Sequence, residues 1–341
     1  MVTTLLILTT LYTFYMGYTD GSNAVATCVA TKAMKPRFAV VLSAVVQFAT
    51  VIAMYFLVKD MSVAATIGKG LIDSSAYASI APRKAFIYLL AALLSAIVWS
   101  LITYFLKQPN STSHTLLGGI IGAGLAAFGW NAVNWQNVLL RIVLIIFIAP
   151  IISLLIGYLI NKLLRKIALR APMGTGKVVK ALQNLNVVIL SSAISVNDGQ
   201  KAIGVYLLIA TLGVAPIAME VPFYLVLIFA AALALGMFFG GYRIIVTIGQ
   251  KLFKIKPLMS LSSQISTNLV MFTSSALGIP ISTGQVISST VVGIGVSERL
   301  RGVRWKTIER IALGWIVTMP ATILFGAAFY SIIKLISGGN V

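Results

Sequence analysis

Long apolar runs, rather than alternating positions, set the pattern of this chain. Residues 38–58, 137–161, 222–242 and 311–333 are nearly free of charge. Each approaches or exceeds the ~18–20 apolar residues that carry a helix across the hydrocarbon of a bilayer. Strands of a membrane barrel would alternate apolar with polar residues, and these runs do not, so the spans read as helices. Two further tracts, 3–31 and 181–214, are long enough to cross but carry polar interruptions, "GYTDGSNAVAT" at 17–27 and "SVNDGQKAIG" at 195–204. They read as broken spans. Gly17, Gly21 and Gly199 permit a break and a close approach of ligand. Residues 85–136 and 258–298 each read as a re-entrant hairpin that leaves the membrane on the face it entered. The expectation is an all-α polytopic membrane protein.

The polar interruptions recur. "TDGSNAVAT" at 19–27 matches "NDGQKAIGV" at 197–205, and "PNSTSHTLLGGIIGAG" at 109–124 matches "PISTGQVISSTVVGIG" at 280–295. Two polar motifs, in the same order and at nearly equal separation, argue for an internal repeat.

Charge gives the repeat a direction. The 26 lysines and arginines outnumber seven acids, for a net charge of +19. Most of them cluster at Lys32, Lys35 and Arg37; from Lys162 to Lys180; from Arg243 to Lys256; and from Arg299 to Arg310. With all four clusters on the cytoplasmic side, the spans thread consistently from an outside N-terminus, as the positive-inside rule expects. Nucleic acid is not needed to explain the charge. The halves then face opposite ways: residues 1–161 form a first inverted repeat, 162–180 a basic cytoplasmic linker, and 181–341 a second inverted repeat. "GTGK" at 174–177 lacks the spacing of a phosphate-cradling loop and has no strand before it, so it belongs to the linker. The first segment has no basic leader and is interrupted by Asp20, so it is expected to be retained as structure. Cys28 is the only cysteine, which rules out an intrachain disulfide.

Inverted repeats in transporters place interrupted helices at mid-membrane, with the substrate at the repeat interface. Acids inside a membrane are costly and mark function by default, so Asp20 and Asp198 lead the candidate site. Helices are expected to restart near Ser22 and Gln200. The pairs Ser111-Thr112 and Ser282-Thr283, after Pro109 and Pro280, read as helix N-caps. Four helix starts would converge, and their free N–H groups and positive dipole ends suit a small oxyanion. Asn23 and Asn197 either join that site or bridge the breaks. Lys201, three residues after Asp198, shares its helix face. His114 suits a proton relay or a hydrogen-bonding role, and Gln285 occupies the matching place in the second hairpin. Arg141, within "NVLLRIVLII", either meets the anion or holds the fold.

A carboxylate beside an anion needs either a co-transported cation or a proton on the anion itself. Phosphate carries O–H donors at neutral pH and sulfate carries none, so an aspartate acceptor would discriminate for phosphate. One His, one Cys and seven acids show no metal-ligand cluster and no nucleophile–base arrangement, so an enzyme ranks last. A channel would show a continuous polar lining, whereas here the polar groups gather at the interruptions. With no nucleotide-binding element, the energy must come from an ion gradient.

These motifs resemble the inorganic phosphate transporter family, the PiT class of cation-coupled symporters. Its duplicated signature, roughly Gly-x-Asn-Asp-x-x-Asn-Ala-x-Gly, appears as "GYTDGSNAVAT" and "SVNDGQKAIG"; its Pro-x-Ser-Thr-Thr-His element appears as "PNSTSH" and "PISTGQ". The resemblance spans both halves. It implies that Asp20, Asn23, Asn197 and Asp198 form the polar core of the site, and that Ser111, Thr112, Ser282 and Thr283 hold phosphate or cation. It also implies a multi-pass protein of the plasma membrane, the inner membrane of a bacterium, with inorganic phosphate and the lipid bilayer as partners and a homodimer admitted. Thr19 and Lys201 stand where the signature has Asn, and Gln285 replaces a His. Lys201 is what the proton-coupled bacterial branch carries. The lysine favours proton over sodium coupling; sodium would be held at Asp20, Asn23 and Asp198, and a divalent metal travelling with phosphate is a further option. No enzymatic cofactor is expected. The family includes sulfate permeases, which makes sulfate the alternative cargo, and an anion channel follows behind.

Overall fold

In lipid the backbone must satisfy its own N–H and C=O groups, and an apolar run does so as a helix. The computed structural model describes residues 1–57, 61–73, 80–170, 172, 174–214, 220–240 and 255–338. Lys59, and Arg243, Lys251 and Lys254 of the third basic cluster, lie outside them. Helix α1 (Val2–Met16) passes through a π-helical turn at Gly17–Gly21 into α2 (Asn23–Ala30), and α3 is Pro36–Leu57. After the short α4 (Ser62–Lys69), α5 (Pro82–Phe105) and α6 (Thr112–Phe128) form a hairpin. Helix α7 (Trp135–Ala168) contains a second π-helical turn at Leu139–Val143. Then follow α8 (Gly176–Thr211), α9 (Phe223–Phe239), the hairpin of α10 (Pro257–Ala276) and α11 (Thr283–Glu298), and α12 (Trp305–Ile336). Among the described residues there is no strand, only an isolated bridge between Ile72 and Val133. Helices α3, α5, α7, α8 and α12 are long and apolar enough to cross a bilayer.

Two local expectations need correction. The break placed in 181–214 is absent, because α8 runs unbroken through Asn197, Asp198 and Gly199. Asp198 finds its cationic partner three residues along its own helix, so nothing requires that backbone to open. Asp20 has no such neighbour, and there the helix widens into the π-helical turn that often marks functional sites. The second correction concerns Gln200. Its Oε1 accepts the Val63 N–H at 2.9 Å, so the residue caps α4 instead of starting a helix at the site. Helix α4 itself had no sequence signal.

The two hairpins are packed alike. Helix α12 lies on α6 and α5, and α7 lies on α11 and α10. A Cβ on Gly122 of α6 would stand 2.0 Å from the Ile323 carbonyl oxygen, and one on Gly293 of α11 would stand 2.0 Å from that of Leu154. Only glycine allows backbones this close, a device common where membrane helices pack.

The apolar interior divides into two cores. One holds Tyr12 and Met16 of α1, Ile120 and Ile121 of α6, and Ala202 of α8. The other holds Ala24 and Cys28 of α2, Ile194 of α8 and Val286 of α11. Both the α1–α2 run and α8 therefore cross from one core to the other, and Asp20 and Asp198 sit at those crossings.

Candidate functional site

The junction between the cores is polar because the hairpin tips end there. Ser111 begins α6 and its Oγ accepts the His114 N–H at 3.4 Å; Ser282 begins α11 and its Oγ accepts the Gln285 N–H, also at 3.4 Å. Each serine thus satisfies one of the free donors at a helix start. The remaining N–H groups and the positive dipole ends stay directed at the junction. The tips are tied to each other, with Ser113 Oγ donating to the Ile281 carbonyl at 2.7 Å.

The carboxylates approach the tips from either side. Thr112 Oγ1 donates to Asp20 Oδ2, and Tyr12 of α1 donates to the Thr112 carbonyl at 2.6 Å. Lys201 Nζ donates to Asp198 Oδ1 at 2.6 Å and to the Ile281 carbonyl at 3.3 Å. That carbonyl therefore joins both tips and the ion pair. Asp20 is bound by Thr112, whose neighbour Ser113 shares the Ile281 carbonyl with Lys201, so the motifs of the two halves meet at one site. Asn197 Nδ2 donates to Ser275 Oγ at 3.3 Å. Asn23 faces the second tip, since a Cβ on Gly284 would meet its Nδ2 at 3.9 Å and Ser282 Oγ at 4.0 Å. None of Asp20, Asn23, Ser111, Thr112, His114, Asn197, Asp198, Lys201, Ser282, Thr283 and Gln285 is more than 4% exposed.

Five buried polar atoms here have no partner: Asp198 Oδ2, Asn197 Oδ1, Thr283 Oγ1, Gln285 Nε2 and His114 Nδ1. An unsatisfied buried donor or acceptor costs about 1–3 kcal/mol. Five such atoms, three on the two capped helix starts and two at Asn197 and Asp198 beside the Lys201 pair, are what a small polar ligand would satisfy. With two carboxylates, one ammonium and two helix N-termini, the site can take an anion alongside a cation or proton. Among the described residues, no three His, Cys, Asp or Glu side chains gather to hold a metal ion, and a divalent metal gains no support.

Other candidates lie elsewhere or act locally. Of the four expected helix starts, three are present: α6 and α11 with serine caps, and α2 after Ser22 without a side-chain cap, whereas α8 has none near Gln200. Ser22 Oγ donates to the Thr19 carbonyl at 2.9 Å, within the turn after Asp20. Arg141 lies exposed in the π-helical turn of α7, beside Leu139 and Leu140, which are 52% and 54% exposed; it faces outward, away from the site. Sequence reasoning passed over Tyr12, Ser113 and Gln47. Ser113 lies inside "PNSTSH", where its residue type does not set it apart from Ser111 and Thr112. Gln47 of α3 approaches the π-helical turn, with Nε2 3.0 Å from where a Gly21 Cβ would be and Oε1 without a partner. A lone Gln in an apolar helix was its only signal. Tyr12 had none.

The profile of the phosphate transporter family matches residues 16–326. A probable low-affinity inorganic phosphate transporter of Bacillus subtilis is 34% identical over 327 residues, covering 95% of each chain. One from Rhizobium meliloti is 33% identical, covering 96% of this chain and 94% of its own. A solved structure, the sodium-dependent phosphate transporter, superposes with a TM-score of 0.80 at 25% identity, covering 97% of this chain and 98% of that one.

Proposed function

The chain belongs to the phosphate transporter family, and from that premise we propose that it imports inorganic phosphate together with a cation, by alternating access about the site between the hairpin tips. Phosphate transport, and a multi-pass place in the plasma membrane, follow from the family and its bacterial relatives; the protein is a transporter and not an enzyme. The observation that carries the finer reading is the set of five partnerless polar atoms, three on two serine-capped helix starts and two beside the Lys201 pair. Phosphate brings both acceptor oxygens and O–H donors. The oxygens suit Thr283, Gln285 and the helix N–H groups, and an O–H suits Asp198 Oδ2. Sulfate would leave an oxygen facing that carboxylate.

Lys201 bears on the coupling ion. Its ammonium already occupies the cation position at Asp198, which leaves Asp20, with Asn23 and Thr112 around it, as the place where a proton or sodium binds. One mobile cation at one carboxylate favours proton coupling. The matched glycine contacts and matched serine caps support an inverted repeat of residues 1–161 and 181–341 joined by the basic linker 162–180. Rocking of those halves about the site would expose it to each side in turn.

The test is uptake of labelled phosphate into proteoliposomes under imposed proton or sodium gradients, with sulfate as competitor. Uptake driven by the proton gradient and insensitive to sulfate is expected. Downhill flux that ignores both gradients, or equal competition by sulfate, would overturn the reading.

A further inference from the structure

A second set of partnerless polar atoms lies apart from the site, on the side of the basic clusters. Helix α10 starts beside Lys256 and α8 shortly before Lys177, so both run from that side toward the hairpin tips. Their pairings climb together: Asn268 Nδ2 donates to Asn186 Oδ1 at 3.1 Å, and further along Asn197 meets Ser275. One turn before Asn186 and Asn268 come Gln183 and Gln264. Gln183 is 0% and Gln264 1% exposed. Gln183 accepts from Thr31, just after α2, at 2.8 Å, yet its Nε2 has no partner, and neither amide atom of Gln264 has one. Asn268 Oδ1 and Ser260 Oγ are also without partners.

Polar side chains that merely glue membrane helices pair across the interface. These do so only in part, and the surplus lies along the seam where α8 meets α10, with Thr31, just after α2, joined to Gln183. Buried polar groups in excess of their partners are what water satisfies, given two to four partners per molecule. From Gln183 to Asn197 the tract covers about 20 Å of α8 at ~1.5 Å per residue. Among the buried apolar residues in that interval is a layer of Leu190 and Ile194 on α8 and Met271 on α10, each no more than 1% exposed.

We propose that this tract is the inner vestibule of the transporter in its closed form. It is the water-lined route by which phosphate leaves the site toward the basic face, with the layer of Leu190, Ile194 and Met271 as its seal. The proposal rests on the transport reading above and gives the inward half of that cycle its lining. The π-helical turn at Gly17–Gly21 lies at the head of α2, where a small change of backbone would let α2 swing from α8 and α10.

Because Cys28 is the sole cysteine, Cys28→Ala gives a thiol-free background for single cysteines at Gln264→Cys and, as a near-isosteric second variant, Ser260→Cys. A membrane-impermeant thiol reagent is applied to inside-out and right-side-out membrane vesicles. Both cysteines are expected to react in inside-out vesicles and to lose that reaction in right-side-out ones. Reaction from the outer face alone overturns the proposal, as does silence at both faces from cysteines that react after denaturation. Phosphate binding to Thr283→Val in detergent tests the site independently, because the Thr283 Oγ1 without a partner is one of the atoms given to phosphate. Loss of binding is expected, and binding at the level of the unaltered protein would overturn the site while leaving the labelling result to stand on its own.

Discussion

Lys201→Asn separates the roles assigned to the two carboxylates. In the unaltered protein Lys201 and Asp198 form a 2.6 Å pair in which both side chains are 0% exposed. Removing one member of a buried pair costs about 3–5 kcal/mol, because the other charge is left uncompensated. At 1.4 kcal/mol per factor of ten, any step that keeps Asp198 ionised is then disfavoured by about a hundredfold or more. The variant also loses the hydrogen bond to the Ile281 carbonyl at 3.3 Å, which loosens the second tip. A proton or a sodium ion can take the place of the lost ammonium, and the introduced amide offers a cation an additional oxygen. Phosphate uptake by the variant, measured in proteoliposomes across a matrix of external pH and sodium, is therefore expected to need acid or sodium much more steeply than uptake by the unaltered protein. If both proteins respond identically to both ions, Lys201 does not occupy a cation position.

Asp20→Asn and Asp198→Asn are each expected to abolish uptake while leaving membrane expression unchanged; ordinary uptake by either removes that carboxylate from the mechanism. Gly122→Ala and Gly293→Ala should both lower the melting temperature in detergent, since each new Cβ would stand 2.0 Å from a backbone oxygen and overpacking costs about 1–3 kcal/mol. An unchanged melting temperature in either would break the equivalence of the hairpin contacts. Arg141→Gln is expected to leave phosphate affinity and uptake rate as they are, because its side chain faces outward; a loss of affinity would return Arg141 to the site.

The apolar runs announced most of the helices, because burial in lipid leaves a span little choice but to be helical and charge-poor. Residues 38–58 and 311–333 fell within α3 and α12, save for the last residue of the first run, which lies outside the described residues. The serine caps were equally legible, since a Ser-Thr pair after a proline is a local signal with a local mechanism. Whether a polar interruption breaks a helix was not local. The motifs at Asp20 and Asp198 look alike in sequence, yet one helix widens and the other continues, because only Asp198 has a lysine on its own face. Gln200 and Arg141 show the same limit from another side. Their polarity was visible, but the neighbour each faces depends on packing: α4 for the glutamine, the outer surface for the arginine. Tyr12 and the Ile281 carbonyl organise the site through contacts that no pattern of residue types encodes.

Diffraction from crystals grown with arsenate, a phosphate mimic whose arsenic scatters anomalously, tests the binding site most directly. The predicted result is one strong peak between the N-termini of α6 and α11, within hydrogen-bond reach of Thr283 Oγ1 and Gln285 Nε2. A well-occupied arsenate elsewhere, with those two atoms still unpartnered, would contradict it.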